Sequence, residues 1–186
     1  MKRIIVFSLL LLPFVARPQS SQAYQPIDSI LTYLHDRHLF SGVALVAEEG
    51  QVVYQKALGW SNAQSGKPLN TQSAFNLASI SKQFYAMMVM MLQEQGKLDY
   101  DDPVQKHLAD FPYPAITIRQ IMNQVSGLPE YFDMAARDMN LADTLTNAHL
   151  LQLLKQNKPP LVFEPGEEWQ YSNTNYTTLA SLIEAV

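Results

Sequence analysis

Phe75-Asn76-Leu77-Ala78-Ser79-Ile80-Ser81-Lys82-Gln83-Phe84 is the stretch on which the reading of this chain turns. It leads into an apolar run, so a helix is predicted from about Ile80 to Gln95 with Ser79 at its mouth. Serine and lysine at i and i+3 share a helical face, one turn apart. The Lys82 ammonium then lies beside the Ser79 hydroxyl and, if burial lowers its pKa, accepts or relays the hydroxyl proton. The helix N-terminus adds a positive dipole end and free N–H groups where an oxyanion would form. Alone, S-x-x-K is a weak signal, and a capping serine followed by an exposed lysine is its plainer reading.

A second stretch, Pro165-Gly166-Glu167-Glu168-Trp169-Gln170-Tyr171-Ser172-Asn173-Thr174-Asn175-Tyr176, follows about ninety residues downstream. In an extended segment alternate residues share a face, so Tyr171 and Asn173 point the same way. A phenolate near Lys82 would serve Ser79 as general base and the leaving group as general acid. Asn173 would hydrogen-bond both Lys82 and a substrate amide. By itself Tyr-x-Asn is also an aromatic loop with a helix cap at Asn173 or Thr174. That plainer reading suits either motif alone and poorly suits both in this order.

Around these motifs the periodicity predicts an N-terminal helix near residues 26–38, carrying Ile27, Ile30, Leu31 and Leu34. Gly42-Val43-Ala44-Leu45-Val46-Ala47, a Glu48-Glu49-Gly50 turn and Val52-Val53-Tyr54 read as a hairpin. Trp60 to Gln72 reads as loop. The helix after Ser79 is apolar all round from Met87 to Met91, the pattern of a helix buried in a core. Its methionines read as gap-fillers in a packed interior rather than as a soft-metal or haem site. Gly96 ends it, and Asp101-Asp102-Pro103 opens a short helix. Phe111-Pro112-Tyr113-Pro114 reads as an extended linker, because a residue before proline is pushed out of the helical region. Thr117 caps a helix with Ile118, Ile121 and Met122, Asn147–Gln156 forms another, and Tyr176–Val186 the last. Two strands cannot make a stable sheet by themselves, an odd inventory for a whole domain.

Composition narrows the function. The 186 residues carry 13 Lys+Arg against 17 Asp+Glu, a formal charge of −4, and no basic run to neutralise nucleic-acid phosphates. Hydrophobic residues at 47% allow one packed core, a single domain or most of one. The absence of Cys excludes disulfides, thiolate zinc sites, a cysteine nucleophile and a lipid-modified cysteine anchor. There is no G-x-S-x-G elbow, H-E-x-x-H pair, P-loop or dinucleotide fingerprint. His35 and His38 lie i, i+3 on one helix but lack a convincing third ligand.

The N-terminus reads as an export signal over residues 1–23. Lys2 and Arg3 precede the apolar run Ile4–Ala16, followed by a polar stretch ending Ser21-Gln22-Ala23. That run is too short for a bilayer, which needs ~20 apolar residues, and it contains Pro13. A disordered or membrane-tethered N-terminus is the alternative. Cleavage after Ala23 removes three basic residues and no acid, leaving −7 on 163 residues of an exported, periplasmic or secreted protein with no stable membrane anchor.

From about Phe40 to its last residue, the chain resembles the serine β-lactamase and penicillin-binding-protein superfamily. The likeness is to its class C-like, β-lactamase-related serine hydrolases. It rests on the hairpin with Gly42 and Gly50, the Phe75–Phe84 segment, Gly96-Lys97-Leu98-Asp99-Tyr100-Asp101-Asp102-Pro103-Val104, and Ile118-Arg119-Gln120-Ile121-Met122 through Ser126-Gly127-Leu128-Pro129. The Pro165–Tyr176 stretch matches the family's second motif. The resemblance implies an α+β fold, an antiparallel sheet flanked by helices with a helical region. It implies Ser79 as acylated nucleophile, Lys82 as its proton partner, Tyr171 as general base and acid, and Asn173 as the substrate-binding residue. No cofactor is implied, and the substrates would be β-lactams, D-amino-acid peptides or small esters.

Two departures stand out. Gln124-Val125 replaces the family's usual His-Thr before Ser126-Gly127, which should alter local hydrogen bonding. Residues 174–186 hold nothing like the family's third motif, Lys-Thr-Gly or His-x-Gly, on the strand that supplies a second oxyanion donor. Residues 24–186 therefore read as the N-terminal part of such a domain, with the C-terminal strands missing. Little or no activity is expected from this chain alone, since one lost oxyanion donor costs ~10²–10³ in rate. A non-catalytic binding or degenerate form of the same fold is the alternative function.

Overall fold

The computed structural model describes residues 23–138 and 145–186. The export signal expected over residues 1–23 lies outside them, save Ala23. The chain divides into two compact units, with the boundary after Asn76.

In the first unit α1 (Gln25–Asp36) carries Pro26 in its first turn, where the missing N–H costs no helical bond. Strands β1 (Gly42–Glu48) and β2 (Gln51–Leu58) pair antiparallel from Gly42↔Leu58 to Glu48↔Gln51. Glu49 and Gly50 join them with φ of 49° and 77°, the two left-handed residues of a tight hairpin turn. Asp28 on α1 accepts from Lys56 Nζ at 2.7 Å and from the Tyr54 hydroxyl at 3.1 Å, tying helix to hairpin. The stretch expected as loop contains a second short pair, β3 (Trp60–Asn62) with β4 (Lys67–Pro68). Local turn chemistry closes it: the Asn62 side chain accepts from Ser65 N at 3.0 Å, which hydrophobic periodicity does not register. Among the described residues of this unit only Gly42 is buried, so its sheets have no core of their own.

The second unit holds the core. A 3₁₀ turn (Ala78–Ser81) runs directly into α2 (Lys82–Glu94). It is followed by α3 (Ile118–Met122), α4 (Phe132–Asp138), α5 (Asn147–Asn157) and α6 (Asn173–Ala185). Helix α6 packs against α2, α3 and α5. Val89, Val104, Ile116, Ile118, Ile121, Leu154, Leu179 and Leu182 are fully enclosed. Thr117 caps α3 as expected, its hydroxyl accepting from Gln120 N while Gln120 returns a bond to Thr117 N. Phe111 and Tyr113, expected in a linker, enter the core instead, and the Tyr113 hydroxyl donates to the Pro159 carbonyl at 2.6 Å.

Helix α2 departs from expectation. Only Val89 is buried on it, while Phe84, Met87, Met88, Met90 and Met91 are 41–53% exposed. An all-apolar helix demands cover on every side, and the described residues supply it along the side of Val89, Tyr85 and Leu92.

Candidate active site

Main-chain pairing between two loops builds the floor of the site. Val162 N donates to Gly127 O at 2.8 Å, Gly166 N to Val125 O at 2.8 Å, and Gln170 N to Gln124 O at 3.0 Å. Gly127 makes this possible, because at its φ of +74° a Cβ would stand 2.1 Å from Phe163 O. The buried Gln124 then takes over with its side chain, Oε1 accepting from Ser172 N at 2.9 Å and from Asn175 Nδ2 at 2.7 Å. Ser126 donates to the Asn175 side-chain oxygen, and Thr174 Oγ1 to Pro129 O at 2.6 Å. Ser172 is thus pinned from below, with Tyr171 and Asn173 on either side of it. Asn173 is the first residue of α6, so that helix begins three residues before the apolar pattern suggests.

The Ser79 side of the site depends on an unusual backbone. Ala78 has φ of 46°, a left-handed conformation that costs an alanine about 1–2 kcal/mol. The 3₁₀ turn that follows nearly eclipses residues i and i+3. Lys82 Nζ accordingly lies 3.2 Å from Ser79 Oγ, closer than an α-helical face requires. From the other side the Tyr171 hydroxyl comes to 2.7 Å from Ser79 Oγ. Lys82 Nζ donates to Asn173 Oδ1 at 2.7 Å, and the Tyr171 hydroxyl donates to the same oxygen at 3.3 Å. The four residues singled out in the sequence are therefore brought together.

Ser79 and Tyr171 are exposed to solvent, and Lys82 and Asn173 are partly buried. The ammonium of Lys82, and next the Ser79 hydroxyl, hold the Tyr171 phenol below its ordinary value of 10.0. Glu130 works against this by raising it. A pocket of about 230 Å³ adjoins the cluster, lined by Lys82, Tyr85, Tyr131, Asn173 and Tyr176. A larger cleft of about 540 Å³ lies along His107–Phe111 and Lys155 and includes none of the four, so the chemistry favours the smaller one. Two neighbours escaped the sequence reading of the site. Gln124 was visible only as a departure from the family's His-Thr, and Glu130, just past Pro129, carried no signal at all. Residues 173–185, where no third motif was found, form helix α6.

A Ser-x-x-Lys turn meeting a Tyr-x-Asn helix start, with helices and short antiparallel strands, defines the β-lactamase/transpeptidase-like fold class, of which this chain carries a part. The chain belongs to the Beta-lactamase family, whose model matches residues 27–186. It is 37% identical over 158 residues to penicillin-binding protein 4* of Bacillus subtilis, covering 85% of this chain and 35% of that protein. It is 31% identical over 156 residues to esterase EstB of Burkholderia gladioli, covering 75% of this chain and 39% of the esterase. The crystal structure of a penicillin-binding protein from Bacillus halodurans superposes with a TM-score of 0.72 at 29% identity, over 83% of this chain and 48% of that one. The chain thus spans well under half the length of both curated relatives.

Proposed function

We propose that the full-length protein is a serine hydrolase working through an acyl-enzyme on Ser79. The observation that carries this is the position of Ser79 Oγ, 3.2 Å from the Lys82 ammonium and 2.7 Å from the Tyr171 phenol. In the acylation step Ser79 Oγ bonds to the substrate carbonyl carbon while its proton passes to the Tyr171 oxygen. Lys82 keeps negative charge favourable at both oxygens, which supports a phenolate at Tyr171. Collapse of the intermediate breaks the bond to the leaving group, which takes the proton back from Tyr171. Water, deprotonated by the same residue, then releases the acid and restores Ser79. Asn173 orients Lys82 through Oδ1 and has a second amide hydrogen for a substrate carbonyl.

Carbonyl substrates of three kinds suit this chemistry: β-lactams, D-amino-acid peptides and small esters. Likeness to a penicillin-binding protein and to an esterase supports the range. Exposing the full-length protein to a labelled penicillin, a D-alanyl ester and a short-chain aryl ester, with Ser79→Ala in parallel, tests the proposal. Covalent labelling or turnover by at least one, lost in Ser79→Ala, is expected; inertness toward all three overturns it. The proposal also places the protein outside the cytoplasm. Protein purified from the cells that naturally make it should begin at Tyr24, and retention of Met1 would contradict cleavage after Ala23.

A further inference from the structure

We infer that Glu130 is a positioning residue for the proposed reaction, its carboxylate dictating which end of the Asn173 amide faces Lys82. Glu130 Oε2 accepts from Asn173 N at 2.8 Å and from Asn173 Nδ2 at 3.2 Å, while Oε1 accepts from Tyr131 N at 3.2 Å. An ionised carboxylate only accepts, so it selects the NH₂ end of the amide. The Asn173 oxygen must then face the opposite way, where it meets Lys82 Nζ at 2.7 Å and the Tyr171 hydroxyl at 3.3 Å. Turning the amide over would set NH₂ against an ammonium and a carbonyl against a carboxylate. Both contacts repel, so a single orientation survives. Through that oxygen, Glu130 acts on the position of Lys82 relative to Ser79.

The competing explanation is a helix cap. Ser172 precedes α6 without a side-chain cap bond, and Glu130 satisfies the free N–H of Asn173. A cap alone costs stability when removed but does not act through the Asn173 side chain. The charged groups facing the Asn173 amide are Lys82 and Glu130, with the Tyr171 phenol beside them, and Glu130 also raises the Tyr171 pKa.

Resting as it does on the acyl-enzyme reading, the inference is tested by the rate of Ser79 labelling with a fluorophosphonate. The full-length protein is compared with Glu130→Ala, Glu130→Gln, Asn173→Ala and the Glu130→Ala/Asn173→Ala double variant. Hydrogen bonds to a charged group are worth enough that Glu130→Ala should slow labelling about 10–100-fold. Glu130→Gln keeps an acceptor oxygen and should recover most of that loss. Adding Glu130→Ala to Asn173→Ala should cost no more than about twofold, since coupled residues do not add. Unchanged labelling of Glu130→Ala, or a full additional loss in the double variant, overturns the inference. If the parent protein takes no label, the proposed function fails separately. Positioning is then judged by NMR titration of ¹³Cζ-labelled tyrosine in the same variants, which needs no turnover. The change in the Tyr171 midpoint on Glu130→Ala should differ between the parent and the Asn173→Ala backgrounds, and an equal change in both, the direct charge effect alone, overturns the inference.

Discussion

Gly127 joins fold to site most tightly, and replacing it with alanine gives a loss that can be worked out in parts. Gly96 supplies the control. Both have left-handed backbones, φ of 74° and 69°, but a Cβ at Gly96 meets nothing among the described residues within 4 Å. Alanine in that region costs about 1–2 kcal/mol, offset by roughly 0.5–1 kcal/mol through a less flexible unfolded chain. Gly96→Ala should therefore lose about 1 kcal/mol. At Gly127 the new carbon would also stand 2.1 Å from Phe163 O, a backbone atom that cannot swing aside. The loop of residues 161–166 must retreat, at an overpacking cost of about 1–3 kcal/mol. Loss of the 2.8 Å bond from Val162 N to Gly127 O adds about 1 kcal/mol. Gly127→Ala should thus lose about 3–5 kcal/mol in urea unfolding of the full-length protein. Ser79 labelling should slow as well, because the displaced loop leads into Tyr171. Equal losses for the two variants, within about 0.5 kcal/mol, would refute the reasoning.

Three further outcomes are expected. Labelling of Ser79 should accelerate with pH through a midpoint below the ordinary phenol value of 10.0, since Lys82 and then Ser79 lower the Tyr171 pKa. Tyr171→Phe should abolish that limb and slow labelling about 10²–10⁴-fold; an unchanged pH profile would count against Tyr171 as the base. Asp102 is held well below its ordinary 3.8 by Lys106, the Asp99 N–H and His107. Because the folded value is the lower one, its stabilisation is complete above about pH 4 and fades as the pH falls further. Asp102→Asn should therefore cost about 2 kcal/mol at pH 7 and clearly less at pH 2, as measured by denaturant titration. Among the described residues the buried Thr178 hydroxyl has no hydrogen-bond partner, so Thr178→Val should raise stability by about 1 kcal/mol, and a loss would show that it has one.

Features governed by neighbours in sequence were legible. Thr117 with Gln120 three residues on announces the α3 cap, Gly96 the end of α2, and the Glu49-Gly50 turn the first hairpin. That the four candidate residues meet was legible for a different reason: each motif has a spacing, and the order of the two matches the resemblance. What escaped depends on partners distant in sequence. Nothing near Tyr113 indicates that its hydroxyl meets Pro159, or near Glu130 that its carboxylate meets Asn173. The left-handed Ala78 is invisible because alanine normally avoids that conformation, and it turns the expected first helical turn into a 3₁₀ one. The methionines of α2 show the converse. Their pattern states what the helix requires, and burial depends on what lies against it.

Peptide mapping by mass spectrometry after brief exposure of the full-length protein to a fluorophosphonate tests the acyl-enzyme most directly. A single adduct on the peptide containing Ser79, absent from Ser79→Ala and strongly reduced in Lys82→Ala, is expected. A protein that stays unmodified, or an adduct that persists in Ser79→Ala, would contradict the assignment of Ser79 as nucleophile.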